Sequence, residues 1–197
     1  MSKTRIIEAA VDLFGERGYA ATTLRDIAAR CDMRAPSIYA HFPNKEALLT
    51  AAREAVAREH REHFEAIAER VAGLPPLERL RSLLTAVLDY YSDRPTLVRF
   101  HLRTTALMAE RGFAELEEDF RAEEDLLEET IRHAYEQGVA DGSMRAGRAE
   151  ALAALVLCLM DGLFLQLAYY EPAEHRRRFE LVWTQVETAL AVNGEPR

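Results

Sequence analysis

Apolar side chains recur every three or four residues along almost the whole chain, a spacing that predicts helices. Ile6, Ile7, Ala10, Val11, Leu13 and Phe14 form one face of a helix from about residue 4 to 17, which Gly18 is placed to end. Leu24, Ile27 and Ala28 repeat the spacing in a shorter second helix. Thr23 and Asp26, three apart, have the spacing of an N-terminal capping box, with Asp replacing the preferred Glu or Gln. Cys31, Asp32 and Met33 interrupt the apolar face. A third helix starts near Ala35, because Pro36 suits a first turn, where its missing N–H is not needed. Ile38 and Phe42, four apart, point one way. Pro36, Ser37, Tyr39 and Ala40 point mostly the other way, with His41 at the flank. Two short helices around a tight turn, the second hiding only a thin apolar seam, have the layout of a helix-turn-helix. In that motif the second helix lies in the DNA major groove.

The same period continues beyond a break at Pro43 and Asn44, where Asn44 is a good N-cap. A long helix from Lys45 to about Arg70 carries Leu48, Leu49, Ala52, Val56, Phe64 and Ile67, and residues 73–76, Gly-Leu-Pro-Pro, end it. A helix over about 77–91 turns Leu80, Leu83, Leu84, Val87 and Leu88 inward. The next, about 95–110, does so with Leu97, Val98, Phe100, His101, Leu102 and Met108. Another over about 113–137 bears Leu116, Phe120, Leu126, Leu127, Ile131 and Tyr135 on one side and many carboxylates on the other. Residues 138–147 read as a loop with three glycines. The last two helices cover about 148–170, apolar nearly all round, and about 173–192, amphipathic through Phe179, Val182, Trp183, Val186, Ala189 and Leu190. No segment has a strand's alternation. The expected fold is all-α, with about nine helices. Residues 1–45 form a three-helix domain and residues 46–197 a helical body.

At 197 residues, folding buries about 70% of the unfolded chain's surface, so the core needs no staples. Cys31 and Cys158 fall in unrelated contexts, which fits reduced thiols in a cytoplasm. The N-terminus lacks the long apolar core of a signal peptide. The net charge of −8 argues at first against nucleic acid. Yet residues 1–53 hold eight Lys or Arg against six Asp or Glu, a balance of +2, which leaves −10 on the remainder. A mildly basic head on an acidic body suits contact with phosphate at one end only.

Candidate chemistry concentrates in that head. Arg34 can pair bidentately with guanine or clamp a phosphate. Ser37 and Tyr39 can hydrogen-bond phosphate or base edges, and Lys45 can reach the nucleic-acid backbone. In the body, residues 151–170 carry one charge, Asp161, and are long enough to span a bilayer. A mid-bilayer Asp costs about 2.5–3.5 kcal/mol on insertion scales. Gln166 adds a second polar group and an amphipathic helix follows, so a helix buried on all sides is the better reading. The acidic run Glu115 to Glu129 reads as a solvated face, with no Glu-x-x-His pair to hold metal. His60 and His63, three apart, have no evident third ligand and read as an exposed pair. Among the polar groups of the apolar body, Tyr90, His101 and Arg103 are candidates to line an effector cavity. No nucleophile elbow, phosphate loop or metal motif is present, so no catalytic residue, metal or cofactor is expected.

The head resembles the tetracycline-repressor (TetR) family of bacterial one-component regulators. The matching residues are Ile7, Ala10, Leu13, Phe14, Gly18, Tyr19, Thr22, Thr23, Ile27, Ala28, Met33, Ser37, Ile38, Tyr39, His41, Phe42, Lys45, Glu46 and Leu48. Asp32 stands where the family usually has a turn Gly, and Arg34 where Ser or Thr usually opens the recognition helix. The resemblance implies that Ala35, Pro36, Ser37, Tyr39, His41 and Lys45 line the groove; Thr23 and Arg34 complete the candidate DNA face. It also implies a homodimer whose last two helices form a four-helix bundle across a two-fold axis. The candidate interface is Leu155, Leu159, Gly162, Leu163, Gln166, Val182, Trp183 and Val186. The expected function is a cytoplasmic transcriptional repressor, released from a palindromic double-stranded operator by a small-molecule effector. A helical enzyme or metal-binding bundle would show turnover or stoichiometric metal and no operator. A membrane-anchored sensor built on residues 151–170 would need detergent.

Overall fold

The computed structural model describes residues 3–111 and 114–192, with side chains described outside 108–123. Among these the chain forms α1 (Lys3–Arg17), α2 (Leu24–Arg30), α3 (Ala35–Tyr39), α4 (Lys45–Val71), α5 (Pro76–Ser92), α6 (Pro95–Arg111), α7 (Ala114–Ala140), α8 (Ala149–Gln166) and α9 (Pro172–Leu190). The fold is all-α, as the apolar period predicts. Two compact units result, one from Met1–Glu62 with Arg94–Asp119, the other from His63–Asp93 with Phe120–Arg197. The side chains of Met108, Leu116 and Phe120, and the acidic run through Glu123, lie outside the described residues.

The first unit has its core where α1, α2 and α3 meet the start of α4. Ile6, Leu13, Phe14, Ile27, Ile38 and Leu48 are fully buried there, and Leu24, Ala28 and Phe42 nearly so. Each large apolar side chain buried in this way contributes about 1.5–3 kcal/mol. Phe100 of α6 completes the cluster, and α1 lies along α6. The approach is close enough to require glycine: a Cβ on Gly15 would stand 2.5 Å from the Thr96 carbonyl oxygen. Gly18, at φ +82°, ends α1 as expected, and its N–H reaches the Phe14 carbonyl at 2.9 Å.

In the second unit, α5 buries Leu80, Leu83, Leu84, Val87, Leu88 and Tyr91 and packs on α8 and α9. From α9 come Phe179, Trp183, Val186 and Leu190, and the buried His175 donates from Nε2 to the Leu163 carbonyl at 2.9 Å. Several expectations need correction here. Gly138 lies inside α7, because Met144 folds back with its N–H on the Gly138 carbonyl at 2.8 Å. There a Cβ would stand 2.6 Å from the Met144 sulfur. Leu126 is exposed while Leu127 is buried. His60 is half-buried and only His63 is exposed.

Helix α8 is the segment expected to be buried on all sides once a two-fold bundle forms. It is long and apolar enough to cross a membrane by length and composition. It packs along one side only, through Ala153, Val156, Leu157 and Leu163. Leu155 and Leu165 are 48% and 46% exposed, and Cys158 and Asp161 are exposed beside them. Within one chain it is therefore a half-covered helix. Partial desolvation pushes the Asp161 carboxyl up from its ordinary value.

Candidate nucleic-acid interface

The local structure of the head follows from its caps. Thr23 holds an extended backbone, and its hydroxyl accepts the Asp26 N–H at 3.2 Å. The Asp26 carboxylate in turn accepts the Thr23 N–H at 2.8 Å, so the predicted capping box is complete with Asp in the acidic position. The Thr23 hydroxyl also donates to that carboxylate and, with the Thr23 N–H, holds the Asp26 carboxyl below its usual range. Thr22, buried beside it, donates its hydroxyl to the Leu13 and Gly18 carbonyls. Helix α2 ends in a Schellman turn. The Met33 N–H reaches the Ala28 carbonyl at 2.8 Å, the Asp32 N–H reaches that of Ala29 at 3.1 Å, and Asp32 sits at φ +56°. Asp is one of the few residues that visits this left-handed region, so it can replace the glycine such a turn favours. Cys31 caps α2 from inside the core, with its Sγ on the Arg5 carbonyl at 3.5 Å. Burial pushes its thiol up, away from the reactive thiolate.

This turn delivers α3 with its seam inward. Ile38 and Phe42 are buried, and the Phe42 N–H continues the helical bonding to the Ile38 carbonyl at 2.9 Å. Arg34 is the N-cap residue and Ala35 the first helical residue, with Pro36 in the first turn. Arg34, Pro36, Ser37, Tyr39 and His41 are all exposed, while Ala35 is half-buried against the core. Tyr39 is 57% exposed. An aromatic left outward on a five-residue helix adds nothing to the fold and offers a flat amphipathic surface to a partner. Thr23 is exposed, but its hydroxyl is engaged in the cap.

Lys45 has a different setting from the other candidates. Asn44 caps α4 by accepting the Ala47 N–H at 2.7 Å, which sets Lys45 in the first turn. Its Nζ donates to the carbonyls of Tyr19 at 2.7 Å and Thr22 at 2.9 Å, and lies 4.2 Å from the centre of the Tyr19 ring. Lys3, at the start of α1, stands 5.3 Å from the centre of the Phe42 ring.

The candidates for an effector cavity fall in both units. His101 belongs to the first. Burial, with Arg53 and His60 nearby, lowers its pKa from 6.5 to about 4, so the imidazole is neutral at pH 7. Thr104, one of the body's polar groups, shares that setting with Arg53, which the sequence did not single out: the Arg53 guanidinium donates to the Thr104 hydroxyl at 2.8 Å, which donates to the Phe100 carbonyl. The spacing of Arg53, Ala57 and His60 along one stripe of α4 was the available signal. Arg103 is exposed, with its guanidinium 3.0 Å from where a Cβ on Gly18 would stand. Tyr90 belongs to the second unit, buried edge-on against Tyr91 at 4.9 Å between ring centres and 4.5 Å from the His63 ring. Of the interface candidates, Leu155 is exposed, Leu159, Gly162, Gln166 and Val182 are half-buried, and Leu163, Trp183 and Val186 lie in the unit's own core. Nothing stands within 4 Å of a Cβ built on Gly162, so that surface is open in the single chain. Among the described residues, no group of three or more His, Cys, Asp or Glu side chains is arranged to hold a metal ion.

Residues 6–52 match the family described as bacterial regulatory proteins, tetR family. Residues 76–191 match the BetI-type transcriptional repressor C-terminal family. The chain is 30% identical over 175 residues to the HTH-type transcriptional repressor KstR2 of Rhodococcus jostii, covering 86% of this chain and 80% of that protein. It is 35% identical over 96 residues to the HTH-type transcriptional regulator YerO of Bacillus subtilis, covering 49% of this chain and 33% of that one. Several such curated relatives are matched over only 33–53% of their own length. A solved TetR transcriptional regulator from Chloroflexus aurantiacus superimposes with a TM-score of 0.75 at 27% identity, covering 95% of each chain.

Proposed function

This chain belongs to the TetR family of bacterial regulatory proteins, and from that membership we propose that it is a DNA-binding transcriptional repressor released by a small-molecule effector. The observation that carries the reading is α3. Ile38, with Phe42 just beyond the helix end, is committed to the core, and Arg34 at the N-cap, Ser37, Tyr39 and the following His41 are left facing outward. Those groups are the hydrogen-bonding and planar kinds that contact phosphates and base edges. Pro36, and Ala35 where it is uncovered, supply small apolar surface suited to a thymine methyl.

The DNA-reading part lies within residues 1–45, and residues 46–197 bind the effector and dimerise. In a two-fold dimer the paired α3 helices stand about 34–36 Å apart, or a multiple of that, and match a palindromic operator. The half-covered stripe of α8, around Leu155, Leu159 and Gly162, supports the pairing surface. Release works by population shift: an effector that binds one conformation of the body better changes the separation of the heads, and affinity falls. A protein acting on DNA in this way works in the cytoplasm.

The test is a salt series of binding to duplex DNA from immediately upstream of the gene, beside a scrambled duplex of equal length. The reading expects a sequence preference of about a thousandfold or more that persists as salt weakens both complexes. Equal, weak binding to the two duplexes at every salt concentration would remove its basis.

A further inference from the structure

Lys45 sits where sequence spacing would send it to phosphate, yet its ammonium is turned onto protein. Two of its three N–H groups are used on the carbonyls of Tyr19 and Thr22, at 2.7 and 2.9 Å, and the charge rests over the Tyr19 ring. Both carbonyls lie between the end of α1 and the N-cap of α2. There the chain turns through Gly18 at φ +82° and no helix supplies regular partners. Charge-assisted bonds to such carbonyls are short and strong, and an ammonium held by two of them has lost the swing a phosphate contact needs.

The parts on each side of this link are themselves fixed. Thr22 ties the corner to α1 through the Leu13 and Gly18 carbonyls. Asn44 fixes the first turn of α4 through the Ala47 N–H. We propose that Lys45 is a positioning residue, which locks the start of α4 to the α1–α2 corner and so holds α2 and α3 at one attitude to α4. It acts on DNA through the placement of α3 and adds no phosphate contact of its own. This rests on the DNA-reading role of α3 for one of its two readouts.

Both readouts use the full chain and the variants Lys45→Met and Lys45→Arg. The first is amide hydrogen exchange at Gly18 and Thr22. The second is the salt dependence of binding to the upstream duplex between about 50 and 200 mM KCl, at a temperature well below melting. Lys45→Met speeds exchange at the corner and lowers affinity about tenfold, the size of one weakened base contact, with the salt slope unchanged. Lys45→Arg does the same in part, because a planar fork cannot converge on both carbonyls as a compact ammonium does. A slope reduced by about 0.9 in Lys45→Met, with Lys45→Arg behaving as the parent, identifies a phosphate contact and overturns the proposal. Unchanged exchange in both variants overturns it as well. If the parent itself shows no sequence preference, the repressor reading fails, and the exchange measurement still decides whether Lys45 holds the corner.

Discussion

Helices α3 and α8 both leave surface uncovered, and they do so in opposite ways. Helix α3 has five residues and is anchored by Ile38, with Phe42 just beyond its end; it and its flanks turn outward the hydroxyl of Ser37, the phenol of Tyr39, the Arg34 guanidinium at the N-cap and the His41 imidazole past the C-terminus. Helix α8 has eighteen residues, and its outward side is chiefly Leu155, Cys158 and Leu165, interrupted by Asp161. A polar face around one aromatic ring fits a wet, charged groove. An apolar stripe with an open glycine fits a packed interface, and a second copy of the same stripe is the simplest cover for it. The difference teaches that exposure alone does not identify a partner; the chemistry of the exposed atoms does.

The strongest way to break this contrast is to charge the α8 stripe. The double variant Leu155→Glu, Leu159→Glu buries unpaired carboxylates if the stripe is a dimer seam, at a cost of about 3–5 kcal/mol. Sedimentation then shows a dimer dissociation constant raised by about a hundredfold or more. A dimer that survives unchanged moves the seam elsewhere. Next in size is Ile38→Ala, which empties the anchor of α3 and lowers stability by about 2–4 kcal/mol in denaturant unfolding.

The head was legible in the sequence to an unusual depth because its signals are local. The Thr23–Asp26 box, the stop at Gly18, the Asp32 turn and the Ile38–Phe42 seam each depend on residues a few positions apart. What escaped depends on distant residues. Gly15 is required by Thr96, Lys45 is captured by Tyr19 and Thr22, and Arg53 is met by Thr104. The period fails altogether in α8, since a helix apolar on every side carries no mark of which side is covered. That is why the period could not tell Leu163, buried within the single chain, from Leu155, which is exposed.

The folded state holds His101 near 4, against 6.5 in the unfolded chain, through burial and the neighbouring Arg53 and His60. Between those values the unfolded chain binds the extra proton, so stability rises with pH across the window. Acidifying from 6.5 toward 4 removes up to about 3 kcal/mol. Unfolding measured across this range shows that slope in the parent and loses most of it in His101→Asn; an equal slope in both assigns it elsewhere. The smallest expected effect sharpens the contrast from the other side. Tyr39→Ala leaves stability within about 0.5 kcal/mol, since the ring lies outside the core. The same change weakens binding to the upstream duplex by about 1–3 kcal/mol in a titration.

The central claim, that two α3 helices read one duplex, is tested most directly by a hydroxyl-radical footprint of the full chain on its upstream DNA. The account predicts two protected tracts related by a dyad, with centres about 34–36 Å apart or a multiple of that. A single tract, or uniform protection along the fragment, would contradict it.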